Sequence, residues 1–226
     1  MQTPQIIQLP KFLDERGNLS FFENDSQLPF EIKRVHWIYD VPGGEERGGL
    51  AYKTTEEFVV AMSGSFDVLV DDGKQQFKFS LNRSYMGVYI PAGTWRTIIN
   101  YSPNAVAVIA ASTHYDPQDG IRNHDEFIKW TESQIAENQP AVNISDTPLP
   151  TLNATLPPKA KNSVYDCGII TLDRHHSQRK GDISVIENGA TVPFDVKRIY
   201  YLYDVPGGES RGGHAHKQLH QLILAA

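Results

Sequence analysis

An internal repeat constrains this chain more than any other feature of its 226 residues. Residues 33–58 read KRVHWIYDVPGGEERGGLAYKTTEEF, and residues 197–222 read KRIYYLYDVPGGESRGGHAHKQLHQL. The correspondence extends upstream without a gap, where, for example, Gly17 recurs as Gly181. A period this long predicts two copies of one domain rather than a solenoid of short repeats.

The two copies differ in how far the sequence continues after them. The first copy continues well past Met62, whereas the second ends at Ala226, the residue equivalent to Met62. We therefore predict a complete first domain over residues 1–131 and the N-terminal part of a second domain over residues 163–226. Residues 132–162 are rich in Pro, Asn, Thr and Ser, which is typical of a linker that buries little surface.

Short segments rich in β-branched and aromatic residues predict strands in the first domain. They cover residues 58–62, 66–70, 77–81, 88–90, 95–99 and 106–110. The sequence DDGK at residues 71–74 provides a tight hairpin turn between two of them. Many short antiparallel strands at this spacing indicate an all-β sandwich or barrel.

The pattern changes after Asp119, where apolar residues recur at helical spacing. The apolar residues are Ile121, Phe127, Ile128 and Trp130. This spacing predicts a short helix that closes one end of the barrel and ends the first domain.

The segment from Gly44 to Gly64 resembles the first metal-binding motif of the cupins, a glycine followed by a His-x-His pair, an acidic residue and another glycine. Leu50, Tyr52 and Glu57 occupy the ligand positions, and in YIPAGTWR Arg96 stands where a ligand histidine is found in the second motif. The resemblance implies a cupin-type double-stranded β-helix, or jelly-roll barrel, followed by an incomplete second copy.

A transition-metal site needs three or four lone-pair donors that converge on one point. Of the four prospective ligands only Glu57 remains in the first copy, so the first domain is predicted to hold no metal. In the second copy His214 and His216 are two residues apart and would point into the barrel from one face of a strand. The acidic position there is Gln221, and two imidazoles can bind metal weakly or shuttle protons.

The second copy, KRIYYLYDVPGGESRGGHAHKQLHQ, resembles the sugar-nucleotide 3,4-ketoisomerases, which are cupin enzymes acting on dTDP-4-keto-6-deoxyglucose. The first copy resembles the same family in GSFDVLVDDG, YIPAGTWR and HYDPQDGIRNHDEF. The resemblance implies a reaction through an enediol, which requires a base at C3 and an acid at C4. It also implies a dTDP-linked nucleotide-sugar substrate, no metal or organic cofactor, and a homodimer.

By the same resemblance His216 is the principal acid/base residue, with His214 beside it, and Arg211 and either Tyr201 or Tyr203 hold the substrate. Further substrate-binding candidates are Lys217, Arg47, Tyr39 and Arg96. The first domain lacks the histidine pair and is predicted to be silent as an isomerase. Arg47 and Arg211 are explained equally well as ion-pair residues.

Composition limits the other classes of function. The formal net charge of −6 disfavours binding to nucleic-acid phosphates. No apolar run reaches the length of a membrane-spanning helix, and a single cysteine excludes an internal disulfide framework. These features favour a cytoplasmic protein.

Three hypotheses remain open from the sequence. The chain is a truncated ketoisomerase with a silent first domain, or a non-catalytic module for nucleotide-sugar binding or dimerisation. The third, a metal-dependent cupin oxygenase, is disfavoured by Leu50, Tyr52 and Arg96 at ligand positions.

Overall fold

The computed structural model describes residues 3–137, 170–214, 216 and 219–225. This part of the chain contains fifteen strands and one helix. The elements are β1 (Gln5–Gln8), β2 (Lys11–Phe12), β3 (Asn18–Glu23), β4 (Arg34–Tyr39), β5 (Arg47–Tyr52), β6 (Glu57–Ser63), β7 (Phe66–Asp71), β8 (Gln76–Leu81), β9 (Met86–Ile90), β10 (Trp95–Ile99), β11 (Val106–Ala111), β12 (Gly120–Ile121), α1 (His124–Glu137), β13 (Arg174–Ser177), β14 (Gly181–Glu187) and β15 (Arg198–Tyr203). We call residues 3–137 the first unit and the described residues from 170 onward the second unit.

The six strands predicted from alternating hydrophobicity correspond to β6 to β11, and their bounds differ by at most two residues. The predicted hairpin turn joins β7 to β8. Its Gly73 has a φ of 86°, a left-handed conformation that costs glycine little. Local sequence therefore determines both the strands and this turn.

Two antiparallel sheets form the barrel of the first unit. One has seven strands in the order β1-β9-β6-β11-β4-β14-β13, and the other has five in the order β12-β5-β10-β7-β8. Buried side chains from both sheets, such as Val59, Val68, Ile98 and Ile109, fill the space between them. The predicted all-β jelly-roll barrel is confirmed.

Helix α1 covers one end of the barrel, as the helical spacing predicted. Phe127 is fully buried against Ala51 and Ile121, and Trp95 packs at the edge of this cluster. The helix continues through Glu137 and so includes the first residues of the predicted linker. The rest of the predicted linker lies outside the described residues.

The second unit contributes strands to sheets of the first. Strand β14 pairs antiparallel with β4, with Asp182 opposite Tyr39, and β15 pairs antiparallel with β3, with Tyr203 opposite Asn18. In the sequence repeat Tyr203 corresponds to Tyr39 and Asp182 to Asn18. The two junctions therefore have the same register, and each unit supplies one strand to the other.

Hydrogen bonds beyond the strands follow the same two-fold relationship. The backbone N–H of Asn24 donates to the carbonyl of Lys197, and that of Asn188 donates to the carbonyl of Lys33, both at 3.1 Å. Each pair is the repeat counterpart of the other. Duplication of one domain would produce this arrangement, and the domain boundaries and the duplication itself stay predictions.

A hydrophobic core joins the seven-stranded sheet to the three-stranded sheet β15-β3-β2. Phe22 of β3 is fully buried, and its ring meets that of Phe58 edge-on at 5.0 Å between centroids. Tyr201 of β15 belongs to the same core. Strand exchange and apolar packing therefore hold the units together.

The strand predicted to carry His214 and His216 is absent from the described residues, which have no strand after β15. The corresponding segment of the first unit is β5, which pairs with β10 and β12. No counterpart of β10 occurs among the described residues of the second unit. A strand needs a neighbour to satisfy its backbone groups. Residues 215, 217 and 218 lie outside the described residues, so the strand at His214 and His216 stays a prediction.

Candidate functional site

The interior of the first barrel contains a buried ion pair where a cupin metal would bind. Arg96 donates from Nε and Nη2 to the two carboxylate oxygens of Glu57 at 2.8 and 3.0 Å. Burial alone would raise the pKa of Glu57, but the adjacent guanidinium outweighs burial and holds it below its usual value. The one acidic ligand position is therefore engaged by a cation of the chain itself.

Neither Leu50 nor Tyr52 supplies a general base beside this pair. Leu50 is buried and has no polar side-chain atom, and burial raises the pKa of Tyr52 above that of a free phenol. Nearby His36 is also buried, and desolvation lowers its pKa to about 3. At neutral pH the interior thus holds a neutral imidazole and a neutral phenol.

Arg34 lies on the same inward-facing side of β4 as His36. It is 3% exposed, and its side chain lies near the rings of Tyr52 and Tyr115, at 5.8 and 5.5 Å from their centroids. Among the described residues, no group accepts a hydrogen bond from any of its three guanidinium nitrogens. Sequence reasoning did not select Arg34, although its alternation with Ile38 on β4 places it inside the barrel.

The predicted residue Arg47 lies at the start of β5, close enough to Arg96, Tyr101 and Asp182 for electrostatic interaction. Burial lowers its pKa. Of the predicted first-unit residues, Arg47 and Arg96 are thus brought into one cluster.

Tyr39 does not join Arg47 and Arg96. Its hydroxyl lies 3.3 Å from that of Ser184 on β14, on the side of the sheet that faces away from the barrel interior. The equivalent pair, Tyr203 and Ser20, is separated by 3.1 Å. Both tyrosines therefore join the two units at the exchanged strands.

In the second unit the two predicted imidazoles lie close to each other. The Nε2 atoms of His214 and His216 are 3.1 Å apart, and their rings are edge-to-face with centroids 4.7 Å apart. Gln221 donates from Nε2 to the hydroxyl of Tyr200 at 2.9 Å and lies 3.4 Å from Nε2 of His216. Both imidazoles are exposed.

Tyr200, which sequence reasoning missed, is the tyrosine of β15 that reaches this group. Alternation along a strand places Tyr200 on one face and Tyr201 and Tyr203 on the other. Tyr201 is 6% exposed, its hydroxyl donates to the carbonyl of Ser84, and burial raises its pKa. The structure therefore does not bring Tyr201 or Tyr203 to the imidazoles. Alternation along β15 could have separated Tyr200 from these two tyrosines at the level of the sequence.

Arg211 lies in contact with the N-terminal segment of the chain. Its guanidinium donates to the carbonyl oxygens of Gly17 and Arg16 and lies 3.4 Å from a carboxylate oxygen of Asp14. These contacts correspond to the ion-pair interpretation of Arg211. The predicted substrate-binding residue Lys217 lies outside the described residues.

Within residues 3–137 and the described part of the second unit, no three His, Cys, Asp or Glu side chains are grouped so that they could hold a metal ion. The same residues include no helix of the length and apolar character required to span a membrane.

A jelly-roll barrel built from two antiparallel sheets is the architecture of the cupin class. The family model described as FdtA: WxcM-like, C-terminal matches residues 2–132 and, separately, residues 165–226. The chain belongs to this family.

Characterised relatives share one activity. TDP-4-oxo-6-deoxy-alpha-D-glucose-3,4-oxoisomerase of Aneurinibacillus thermoaerophilus is 36% identical over 126 residues, which are 56% of this chain and 91% of that protein. The TDP-quinovose 3,4-ketoisomerase WlaRB of Campylobacter jejuni is 40% identical, with a TM-score of 0.55 over 57% of this chain and 99% of its own.

A third relative was solved with a nucleotide. The sugar 3,4-ketoisomerase QdtA of Thermoanaerobacterium thermosaccharolyticum, in complex with TDP, is 27% identical, with a TM-score of 0.56 over 58% of this chain and 96% of its own. The predicted relationship to the sugar-nucleotide 3,4-ketoisomerases is confirmed. Each of these relatives spans little more than half of this chain.

Proposed function

We propose that this protein isomerises dTDP-4-keto-6-deoxyglucose to the 3-keto sugar, with His214 and His216 as the acid/base pair. The observation that carries the proposal is the 3.1 Å approach of their Nε2 atoms, in a family whose relatives are TDP-sugar 3,4-ketoisomerases. Imidazole gives and takes protons near neutral pH, as this reaction requires.

The reaction consists of two steps, each with two proton transfers. One imidazole removes the proton from C3 while the C4 carbonyl oxygen gains a proton, which yields the enediol. Loss of the O3 proton and protonation at C4 then give the 3-keto sugar. The substrate undergoes no net oxidation, so the reaction needs no redox cofactor, and in this proposal the imidazoles carry the protons without a metal or organic cofactor. The 3.1 Å separation lets a single proton be shared between the imidazoles.

The first unit is proposed to be silent in this reaction. Leu50 and Tyr52 occupy the positions that His214 and His216 hold in the second unit. The ion pair of Glu57 with Arg96 supports this role, because a carboxylate held by a guanidinium is a weak base.

The second candidate function is a non-catalytic module for nucleotide-sugar binding or dimerisation. It is favoured by the exposure of both imidazoles and by the absence of a strand around them in the described residues. A catalytic pair is ordinarily fixed by packing and held away from bulk water.

Assembly as a homodimer and a cytoplasmic location are further proposals from the family resemblance. Strands β3 and β4 already have partners within the chain. A homodimer would therefore use another surface, and light scattering combined with size exclusion measures whether the particle has twice the mass of one chain.

NMR of the substrate in deuterated buffer tests the two candidate functions. For the isomerase we expect deuterium to enter C3 and the 3-keto sugar to appear, with a loss of about 10²- to 10⁴-fold in His216→Ala. Tyr52→Phe, the matched change in the first unit, should keep the wild-type rate. Binding of the sugar nucleotide without exchange would instead identify the non-catalytic module.

A further inference from the structure

One face of the three-stranded sheet β15-β3-β2 is apolar and in contact with solvent. Residues directly opposite each other on antiparallel strands point to the same face. On this face they are Phe12, Leu19, Phe21, Tyr200 and Leu202. Phe12 is 57% exposed, and Tyr200 and Leu202 are each 43% exposed. We call these five residues the open face.

The equivalent face of the first unit is covered. Ile38 of β4, the repeat counterpart of Leu202, is 3% exposed and belongs to the core between the two large sheets. The five-stranded sheet packs over it with side chains such as Val68 and Ile98. Equivalent backbone positions therefore contact an apolar sheet in one unit and solvent in the other.

Most of the large apolar side chains that are exposed in the described residues lie on the open face or in segments next to it. Segment 219–225 adjoins the face, because Gln221 donates to the hydroxyl of Tyr200 at 2.9 Å. The exposed apolar residues of the adjoining segments are Leu13, Val205, Leu219, Ile223 and Leu224. Soluble monomers rarely expose a contiguous apolar patch larger than a few hundred Å², and larger ones mark interaction sites.

The charges on the open face neutralise each other. Arg198 and Glu23 are the charged residues on this side of β2, β3 and β15, and Nε of Arg198 lies 2.5 Å from a carboxylate oxygen of Glu23. The guanidinium of Arg198 also lies over the ring of Phe21, at 5.3 Å from its centroid. A neutral apolar face disfavours nucleic acid or a charged partner and favours an equally apolar surface.

We propose that the open face is the interface with a second copy of this chain, in which two open faces pack against each other about a two-fold axis. Such a contact requires a single self-complementary patch. Sheets pack face to face through apolar side chains. Within the part of the chain that the structure describes, the open face is the one apolar sheet face without a covering layer, so a second copy supplies the matching surface. The homodimer proposed above thereby gains a defined interface.

Closure of this interface also shields the imidazole pair, a consequence that rests on the proposed function. Gln221 connects Tyr200 of the open face to His216, whose Nε2 lies 3.4 Å from the amide nitrogen. His214 lies beside His216, and both imidazoles are exposed in the single chain. A second copy packed over Tyr200 limits the access of water to the pair and strengthens electrostatic interactions there.

Sedimentation equilibrium of the whole chain tests the interface. We expect a reversible dimer whose dissociation constant rises about hundredfold or more in Leu202→Asp, because each dimer would bury two carboxylates without counter-charges. Leu69→Asp is the matched control, since Leu69 is 36% exposed on the outer side of the five-stranded sheet. Its dissociation constant should stay within about threefold of the wild-type value.

A monomeric wild type, or an equal effect of Leu202→Asp and Leu69→Asp, would overturn the proposal. A second variant, Phe12→Asp, keeps the test decisive if Leu202→Asp fails to fold, because Phe12 lies on β2 and pairs with β3 rather than β15. We expect it to weaken the dimer about tenfold or more. Wild-type dimer affinity in Phe12→Asp would contradict the interface.

Isomerase activity is measured in the same samples, so that the two proposals fail separately. We expect activity per chain to fall in Leu202→Asp and on dilution of the wild type below its dissociation constant. A dimer that leaves the C3 proton of the substrate unexchanged would contradict the isomerase while supporting the interface. Full activity in a monomer would overturn the shielding of the imidazole pair by a second copy and leave the isomerase standing.

Discussion

The two units exchange strands with the same register but carry different side chains on the equivalent faces of β4 and β15. In the first unit this side carries Arg34 and His36, both buried, whereas the second has Arg198 in an ion pair and Tyr200 bonded to Gln221. The glycines and backbone hydrogen bonds of the junction are common to both. Backbone pairing therefore fixes the framework, while interior positions are free to carry different chemistry.

Removing the carboxylate from the buried pair should give the largest difference between the units. Glu57→Gln leaves Arg96 buried without its counter-charge and should lower the free energy of unfolding by about 3–5 kcal/mol. The equivalent residue Gln221 is exposed, so Gln221→Ala should change it by less than about 0.5 kcal/mol. Urea denaturation of both variants measures this. Equal losses would show that the two interiors do not differ as described.

The pH dependence of stability should distinguish His36 from its counterpart Tyr200. The folded-state pKa of His36 is about 3, against an ordinary value of 6.5, so the unfolded chain binds the extra proton as pH falls. The contribution of His36 to the free energy of unfolding is therefore fully present above about pH 6.5. It declines as pH falls, by about 2 kcal/mol between pH 6.5 and 4.5.

His36→Phe should remove this decline, whereas Tyr200→Phe should retain it. Denaturant midpoints measured every half pH unit would show the difference. A decline of the same size in His36→Phe would assign it to other groups.

The smallest changes in the free energy of unfolding are expected for the tyrosine contacts at the exchanged strands, and these changes should be equal in the two units. Tyr39→Phe and Tyr203→Phe each remove one hydroxyl contact to a serine of the exchanged strand, at 3.3 and 3.1 Å. Each should cost about 1 kcal/mol in the free energy of unfolding. A change in substrate KM in either variant with unchanged stability would instead support the substrate-binding role predicted for these tyrosines.

Period-two alternation was enough to predict β6 to β11, because each of these strands has one face in the barrel core. The exchange of β14 and β15 was not predictable, since a strand's alternation specifies its buried face but not which equivalent neighbour it pairs with. Arg34 was missed because an arginine in a strand ordinarily marks an exposed face.

The proximity of His214 and His216 was predictable from the sequence, whereas their catalytic role stays a prediction. The His-x-His spacing located the imidazole pair, because the repeat aligned it with ligand positions of the first copy. The choice among Tyr200, Tyr201 and Tyr203 required knowing which face of β15 packs against the first unit. The role of Arg211 could not be decided from the sequence either, because the residues it contacts, Gly17 and Asp14, are distant from it in the sequence.

Strand exchange also affects how the protein folds as it is synthesised. The contact of Tyr39 with Ser184 spans 145 residues, so β4 lacks this neighbour until the ribosome has completed β14. At synthesis rates of about 5–20 residues per second, several seconds pass between completion of the first barrel and completion of β14 and β15. During this time β3 and β4 each have one edge without the partner strand that the second unit later supplies. Unpaired strand edges bind other nascent chains, so the yield of folded protein is expected to fall as expression rate rises.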